Sequence, residues 1–290
     1  MFRIRPVFFF LLLLCSARVL VAQAGPPFLN DDPETPGNKH WEINFGFDAN
    51  HNPGASYYQT PDFDINYGWG DRIQLKYELP ISEATNQNNV TVAGLGESLL
   101  GIKARFYEHR RANSAPDDDK AVNFSVGTYP QLSLNNPTSA VRRGVVQYPG
   151  PNFLMPVEAN ARIGWLRLDT QIGYWFGNAH TPQDWIRGLV AGHEFSEKTE
   201  LYTEIYDEQD ANRIDGVPKQ RETVLDLGGR QALNHDNTLL LLFMGGRSFQ
   251  AVTPANGQPN WVAYIGLQVL LGPKVDSTEV RKTVPDESKP

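Results

Sequence analysis

Residues 166–176, LRLDTQIGYWF, place Leu166, Leu168, Ile172, Tyr174 and Phe176 at alternate positions, with Arg167, Asp169 and Gln171 between them. Successive side chains of a β-strand point to opposite faces, so this pattern describes a strand with one apolar and one polar side. The same period recurs along the chain. Ile73, Leu75, Tyr77 and Leu79 alternate with Gln74, Lys76 and Glu78. Leu100, Ile102, Ala104 and Phe106 alternate with Lys103 and Arg105, and Val157, Ala159 and Ala161 with Glu158, Asn160 and Arg162. Leu201, Thr203 and Ile205 alternate with Glu200, Tyr202 and Glu204; Ala263, Ile265, Leu267, Val269 and Leu271 close the series. No comparable stretch keeps a helical period. The expected strands cover 41–49, 56–68, 71–80, 96–108, 120–132, 153–163, 166–176, 184–195, 198–207, 221–232, 237–247 and 260–271. The segment 237–247 fits least well, because Leu239 to Phe243 is apolar at every position.

These are about twelve strands, with lengths near the nine to eleven residues that a tilted strand needs to cross a bilayer. Short turns fall at Gly68–Asp71, Gly164–Trp165, Ser196–Glu197 and Asn234–Asp236; longer polar segments fall near 81–95, 133–152, 208–220 and 248–259. If the first strand rises from the periplasm, the short turns are periplasmic and the long loops external, the asymmetry of an outer-membrane barrel. The charged connection EHRRANSAPDDDK, 108–120, breaks this rule: it is either a periplasmic insertion or a sign that the count is off by one strand. Alternation alone does not say which face is inside. A closed barrel of about twelve strands with its apolar face inward would enclose a wide apolar void, because diameter grows with strand number. Turned inside out, it presents charge to water in the lumen and apolar side chains to lipid. Trp41, Trp69, Trp165, Tyr174, Trp185 and Trp261, at strand ends, suit the aromatic girdles of such a barrel. The expected fold class is therefore all-β, a single closed antiparallel transmembrane β-barrel in the outer membrane. A secreted soluble β-sandwich, or two small ones, is the alternative.

The ends set the domain limits. Arg3 and Arg5, a short apolar run from Val7 to Leu14 and the small-x-small triplet Ala22-Gln23-Ala24 read as a secretory signal peptide over 1–24. Its removal takes away Cys15, the sole cysteine, so the remaining chain folds without disulfides. It also removes Arg3, Arg5 and Arg18, shifting the formal charge from −7 to −10, which argues against nucleic acid as a partner. Residues 25–40 form a Pro-rich acidic arm on the periplasmic side, 41–271 the barrel and 272–290 a polar periplasmic tail. Three readings of the arm compete: a bare linker, a partial plug whose Asp31, Asp32 and Glu34 meet lumen arginines, or a calcium site on those acids.

GPPFLNDDPETPGNKHWE, directly after the signal peptide, together with DFDINYGWGDRIQLKYELP at 62–80, resembles the putative MetA-pathway of phenol degradation family. The resemblance implies an outer-membrane β-barrel with a transporter-like role, extending over Gly25 to about Leu271, and supplies no catalytic residues. Tyr264-Ile-Gly266-Leu-Gln-Val269-Leu-Leu271 is similar to the assembly signal on the final strands of outer-membrane proteins, which implies the barrel assembly machinery as a partner besides the membrane lipid.

Motifs for catalysis are sparse. His40, His51, His109, His180, His193 and His235 stand in no esterase or phospholipase pattern, His235 reads as a turn residue, and His193-Glu194 lacks a second metal ligand at useful spacing. No cofactor, metal or catalytic group is expected. The informative constellation is the inward face: Arg72, Lys76, Glu78, Lys103, Arg105, Glu158, Arg162, Arg167, Asp169, Glu200, Glu204, Asp226 and Arg230, with Glu42, Asp62, Asp64 and Glu222. Charges of both signs either set the selectivity of a pore or cross-brace a closed barrel. The expected function is passage of a small solute, hydrophobic or aromatic if the family name is a guide. A closed barrel with a structural or surface-binding role comes second and an outer-membrane hydrolase third. The loop 133–152, with Arg142 and Arg143, is a candidate contact for anionic lipid or solute, set against a plain solvated loop.

Overall fold

The computed structural model describes residues 25–52, 55–85, 88–110, 122–136, 151–177, 183–211, 221–249 and 261–273. Its strands are β1 (Trp41–Asn52), β2 (Ala55–Gly68), β3 (Ile73–Thr85), β4 (Thr91–Leu95), β5 (Glu97–Arg110), β6 (Val122–Thr128) and β7 (Gln131–Asn135). They continue with β8 (Asn152–Ile163), β9 (Leu166–Phe176), β10 (Asp184–Ser196), β11 (Thr199–Asp210), β12 (Arg221–Ala232), β13 (Leu239–Ser248) and β14 (Trp261–Leu271). Every pairing is antiparallel, and β14 pairs with β1 along its whole length, from Trp41 opposite Leu271 to His51 opposite Trp261. The sheet therefore closes on itself, which satisfies the backbone within a lipid environment; among the described residues the short β4 alone pairs on one side, with β3.

The fourteen strands make a barrel of twelve staves. β4 pairs with the far end of β3 and β5 with its near end, so β4 and β5 are successive lengths of one stave. β6 and β7 share the next stave, between β5 and β8. Proline and glycine account for the interruptions. Gly96 separates β4 from β5 and donates its N–H to the carbonyl of Pro80; Pro130, which has no N–H, separates β6 from β7. Pro61 falls at a register shift of β2 against β3 for the same reason.

The alternation expected of the sequence sets the two faces. Ile172, Leu189, Leu225, Leu227, Ile265 and Leu267 are exposed on the outer wall, while Arg167, Asp169, Gln171, Glu204 and Asp226 are buried in the interior. Trp41, Trp69 and Trp165 ring one end; Tyr174, Trp185 and Trp261 lie toward the other. This outward apolar wall between aromatic girdles is that of an outer-membrane barrel. The turns at 69–72, 164–165, 197–198 and 233–238 share one end, where Gly70 and Gly164 take positive φ to make the tight reversals. The chain leaves β5 at Arg110 and enters β6 at Val122 at that same end, so the strand count holds; residues 111–121 between them lie outside those described.

Two features differ from expectation. Residues 81–95, expected as a loop, are largely strand, because β3 runs on to Thr85 and β4 pairs back onto it. The uniformly apolar run in β13 is a strand whose inner face is also apolar. Leu240, Leu242 and Met244 meet Val190, Val224, Val262, Tyr264 and Leu270 in a cluster inside the barrel. The lumen thus has a polar wall and an apolar one. Tyr264 lies across the seam, its ring against the backbone of Gly46 on β1 and Gly266 on β14.

Leu189 sits midway along β10, exposed to lipid between Thr170 and Ile205. Replacing it with arginine is expected to cost about 2–4 kcal/mol of folding stability in vesicles, while Leu189→Met leaves stability nearly unchanged. Denaturant titration of the vesicle-folded protein measures both.

Candidate functional site: the occupied lumen

Residues 25–36 lie inside the barrel, and 37–40 lead out of it to β1. At the rim, Lys39 N donates to the carbonyl of Gly68 at 2.8 Å, Gly68 N donates to the carbonyl of His40 at 2.9 Å, and Gly70 N donates to Asn38 Oδ1 at 3.0 Å. Further in, Thr35 Oγ1 and Arg105 Nη2 donate to the carbonyl of Asp71 at 3.0 and 2.7 Å. Proline-rich backbone favours an extended path and lacks N–H groups that would need partners. Three consecutive N–H groups that it retains find acceptors on the wall, and others bond within the arm. Leu29 N and Asn30 N donate to the two carboxylate oxygens of Glu204 at 2.9 and 2.6 Å, and Asp31 N donates to Gln171 Oε1 at 3.2 Å.

The acidic side chains of the arm meet the cations of the wall. Lys103 Nζ is 2.6 Å from Asp31 and 3.8 Å from Asp32, and stands 4.7 Å from the ring centre of Tyr129. Arg167 donates to Asp32, lies 3.4 Å from Glu34, and reaches Asp169 on its own strand at 2.9 Å. Asp32 is fully buried, as is Asp169. Asp32 Oδ1 also accepts the N–H of Glu34 at 2.8 Å, which turns the chain locally. On the apolar wall, Phe28 meets the edge of Tyr202 at 5.3 Å between ring centres. The wall is cut to fit: a Cβ at Gly188 would collide with Asn30, one at Gly127 with Pro33, and one at Gly68 with the carbonyl of Gly37.

Of the residues expected to point inward, Lys103, Arg105, Glu158, Arg167, Asp169, Glu200, Glu204, Asp226 and Arg230 are buried in the lumen. Lys76 bridges Asp64 at 3.3 Å and Glu78 at 2.7 Å, with Asn44 and Asn66 donating to Asp64. Arg230 pairs with Glu200, and Arg162 with Glu194 at 3.2 Å. Glu204 and Asp226 face one another on β11 and β12. Arg72 is the exception. It is exposed in the turn before β3, because the strand begins at Ile73 rather than at 71. Asp31, Asp32 and Glu34 each take a place among these charges. The candidates Arg142 and Arg143, the segment 1–24 and nearly all of the tail 272–290 lie outside the described residues.

Sequence reasoning missed the inner apolar cluster and the three glycines that receive the arm. The run Leu239–Phe243 was the available sign of the former. It also missed a cross-strand contact between His51 Nδ1 and Ser56 Oγ, 2.7 Å apart. A hydrolytic pair needs a third group orienting the imidazole and donors for an oxyanion. Here the His51 ring stacks on Trp261 instead, and among the described residues no carboxylate bonds to it.

No family model matches the chain, and no curated protein matches it either. Among solved structures it is similar to the COG4313 outer membrane channel from Pseudomonas putida F1, with a TM-score of 0.62 and 12% identity over 86% of this chain and 100% of that one. It is also similar to the KdgM porin solved with disordered oligogalacturonate (TM-score 0.47, 8% identity, 79% of this chain and 98% of that one). A third is the translocator domain of the autotransporter NalP from Neisseria meningitidis (TM-score 0.44, 13% identity, 79% and 87%). At these identities the likeness is one of fold: an outer-membrane β-barrel.

Two substitutions separate seating of the arm from integrity of the barrel. Gly188→Val fills the space of Asn30 and is expected to expel the arm from a barrel that still folds, so that chymotrypsin cuts at Phe28 or Leu29. Arg167→Met leaves Asp32 and Asp169 buried without their cation and is expected to cost about 3–5 kcal/mol, read as a lowered urea midpoint.

Proposed function

We propose that the protein is an outer-membrane channel for small solutes, with its N-terminal arm as the gate. The observation that carries this reading is the seating of residues 28–34 across the lumen by contacts to facing parts of the wall: Lys103 on β5, Arg167 on β9 and Glu204 on β11. A segment anchored so is separable from the wall, because none of its contacts is a ladder hydrogen bond of the barrel. The apolar wall under Phe28, with Leu240, Leu242, Met244 and Val262, supports a solute with hydrophobic or aromatic surface. The resemblance of the chain's beginning to the phenol-degradation family points the same way, as does the likeness of fold to an outer membrane channel.

A second reading is favoured by the pairing of the lumen charges. Lys76 with Asp64 and Glu78, and Arg230 with Glu200, are bonds that brace a closed barrel. Planar-bilayer conductance of residues 25–290 and 37–290 decides between them. The gated channel is expected to give small conductance with the arm and a steady, larger one without it. A folded 37–290 that remains silent establishes the braced barrel instead.

A further inference from the structure

The outer wall carries its own charge pattern. Among the described residues, the arginines that face outward in the half of the barrel away from the short turns are Arg187 on β10, Arg221 on β12 and Arg247 on β13. Every other described Lys or Arg either faces the lumen, as Lys103 and Arg167 do, or stands toward the short-turn end, as Arg72 and Lys198 do. The three occupy one continuous stretch of four staves. Arg187 stands opposite Asp207, Asp207 opposite Thr223, and Arg221 opposite Gln209. Arg247 stands opposite Leu225 on one side and Trp261 on the other.

Their depth is marked by the aromatic girdle. Trp185 is on the same strand face as Arg187, two residues away, and Trp261 is the cross-strand partner of Arg247. Both tryptophans are exposed, at the level where aromatic rings meet lipid headgroups. One carboxylate lies within the patch. Asp207 is 2.7 Å from Arg221 and 3.8 Å from Arg187, so it holds the two guanidinium groups near each other without cancelling the net positive charge. Arg247 has no ion pair among the described residues. Directly toward the membrane centre from Arg247 the wall falls to Gly245 and Ala263, which stand side by side, with open space over Gly245 and the exposed Leu227 and Ile265 beside them.

Two guanidinium groups gathered by Asp207, with Arg247 on the adjacent stave above a shallow apolar trough, are complementary to a phosphorylated lipid. Guanidinium groups bind phosphate oxygens in bidentate fashion, and the trough accepts an acyl chain. The short-turn end is periplasmic, so the patch lies in the outer leaflet, whose phosphate-bearing lipid is lipid A. We propose that Arg187, Arg221 and Arg247 form a docking site for a lipid A phosphate on the outer face of β10–β13. This site is independent of the lumen and of any transport.

The test uses the folded protein in detergent, titrated with diphosphoryl lipid A and followed by native mass spectrometry. Each arginine near such a surface contributes about a fivefold change in affinity, so R247Q is expected to bind about fivefold more weakly and the triple variant R187Q/R221Q/R247Q about a hundredfold. Arg247→Lys keeps the charge and is expected to recover part of the loss. R72Q, at the opposite rim, leaves binding unchanged. Heat-modifiable gel mobility confirms that each variant is folded. Equal binding of dephosphorylated lipid A, or unchanged binding by the folded triple variant, overturns the proposal. Displacement of the lipid by millimolar inorganic phosphate also overturns it, since the site would then hold free phosphate rather than lipid.

Discussion

The pairing of β14 with β1 is the contact on which the remaining structure depends. It converts a ribbon of alternating faces into a closed wall and so permits apolar side chains to face lipid. Closure also explains how a chain without disulfides is held in an oxidising compartment: apart from β4, each strand is fixed on both sides by a ladder. Once the outside is apolar, the inside inherits the polar half of most strands, β13 being the exception. The lumen is therefore full of charge whether or not anything passes through it, and those charges need partners. Some are found between neighbouring strands, as with Lys76, Asp64 and Glu78. For others the arm supplies them.

Lys103 and Arg167 are buried cations, and Asp31, Asp32 and Glu34 bring further carboxylates within reach of them. Bringing charges out of water is costly, and the return comes only when geometry is good and remaining hydrogen-bonding groups are satisfied. The arm meets that condition through its backbone as well as its acids, since Glu204 takes two of its N–H groups. Phe28 adds contact with the apolar side. The lumen and the arm are thus complementary in charge and hydrogen bonding, although nothing in the strand ladder joins residues 28–34 to the wall.

Most strand positions and the direction of each face were legible in the sequence, because a period of two in eleven residues leaves little freedom. Leu166 to Phe176 is read correctly from its alternation alone. Arg72 was not, because a strand end is fixed by where the ladder stops, and alternation continues past that point. β13 was obscure because a strand apolar on both faces loses its period, and only the tertiary fold shows that its inner side packs against Val224 and Val262. The contacts of Asp32 with Arg167 are separated by more than a hundred residues, and no local pattern specifies them. Among the readings left open for the arm, its acids alone could not choose; the glycines at 68, 127 and 188 carry the information, and they are meaningful only once the facing segment is known.

The seam itself is keyed. Tyr264 covers Gly266 on its own strand and Gly46 on the next, so its ring occupies space that no other residue pair along β1 and β14 leaves vacant in this way. Sliding β14 by one pleat would set the ring against the side chains of Asn44 or Asp48 instead. Aromatic cover of a glycine pins register in sheets generally. Here it does so at the one junction formed between the first strand made and the last, where the chain supplies no turn to hold the two in step. The C-terminal strand therefore carries, in a single tyrosine, a check that the barrel has been closed on the correct rung.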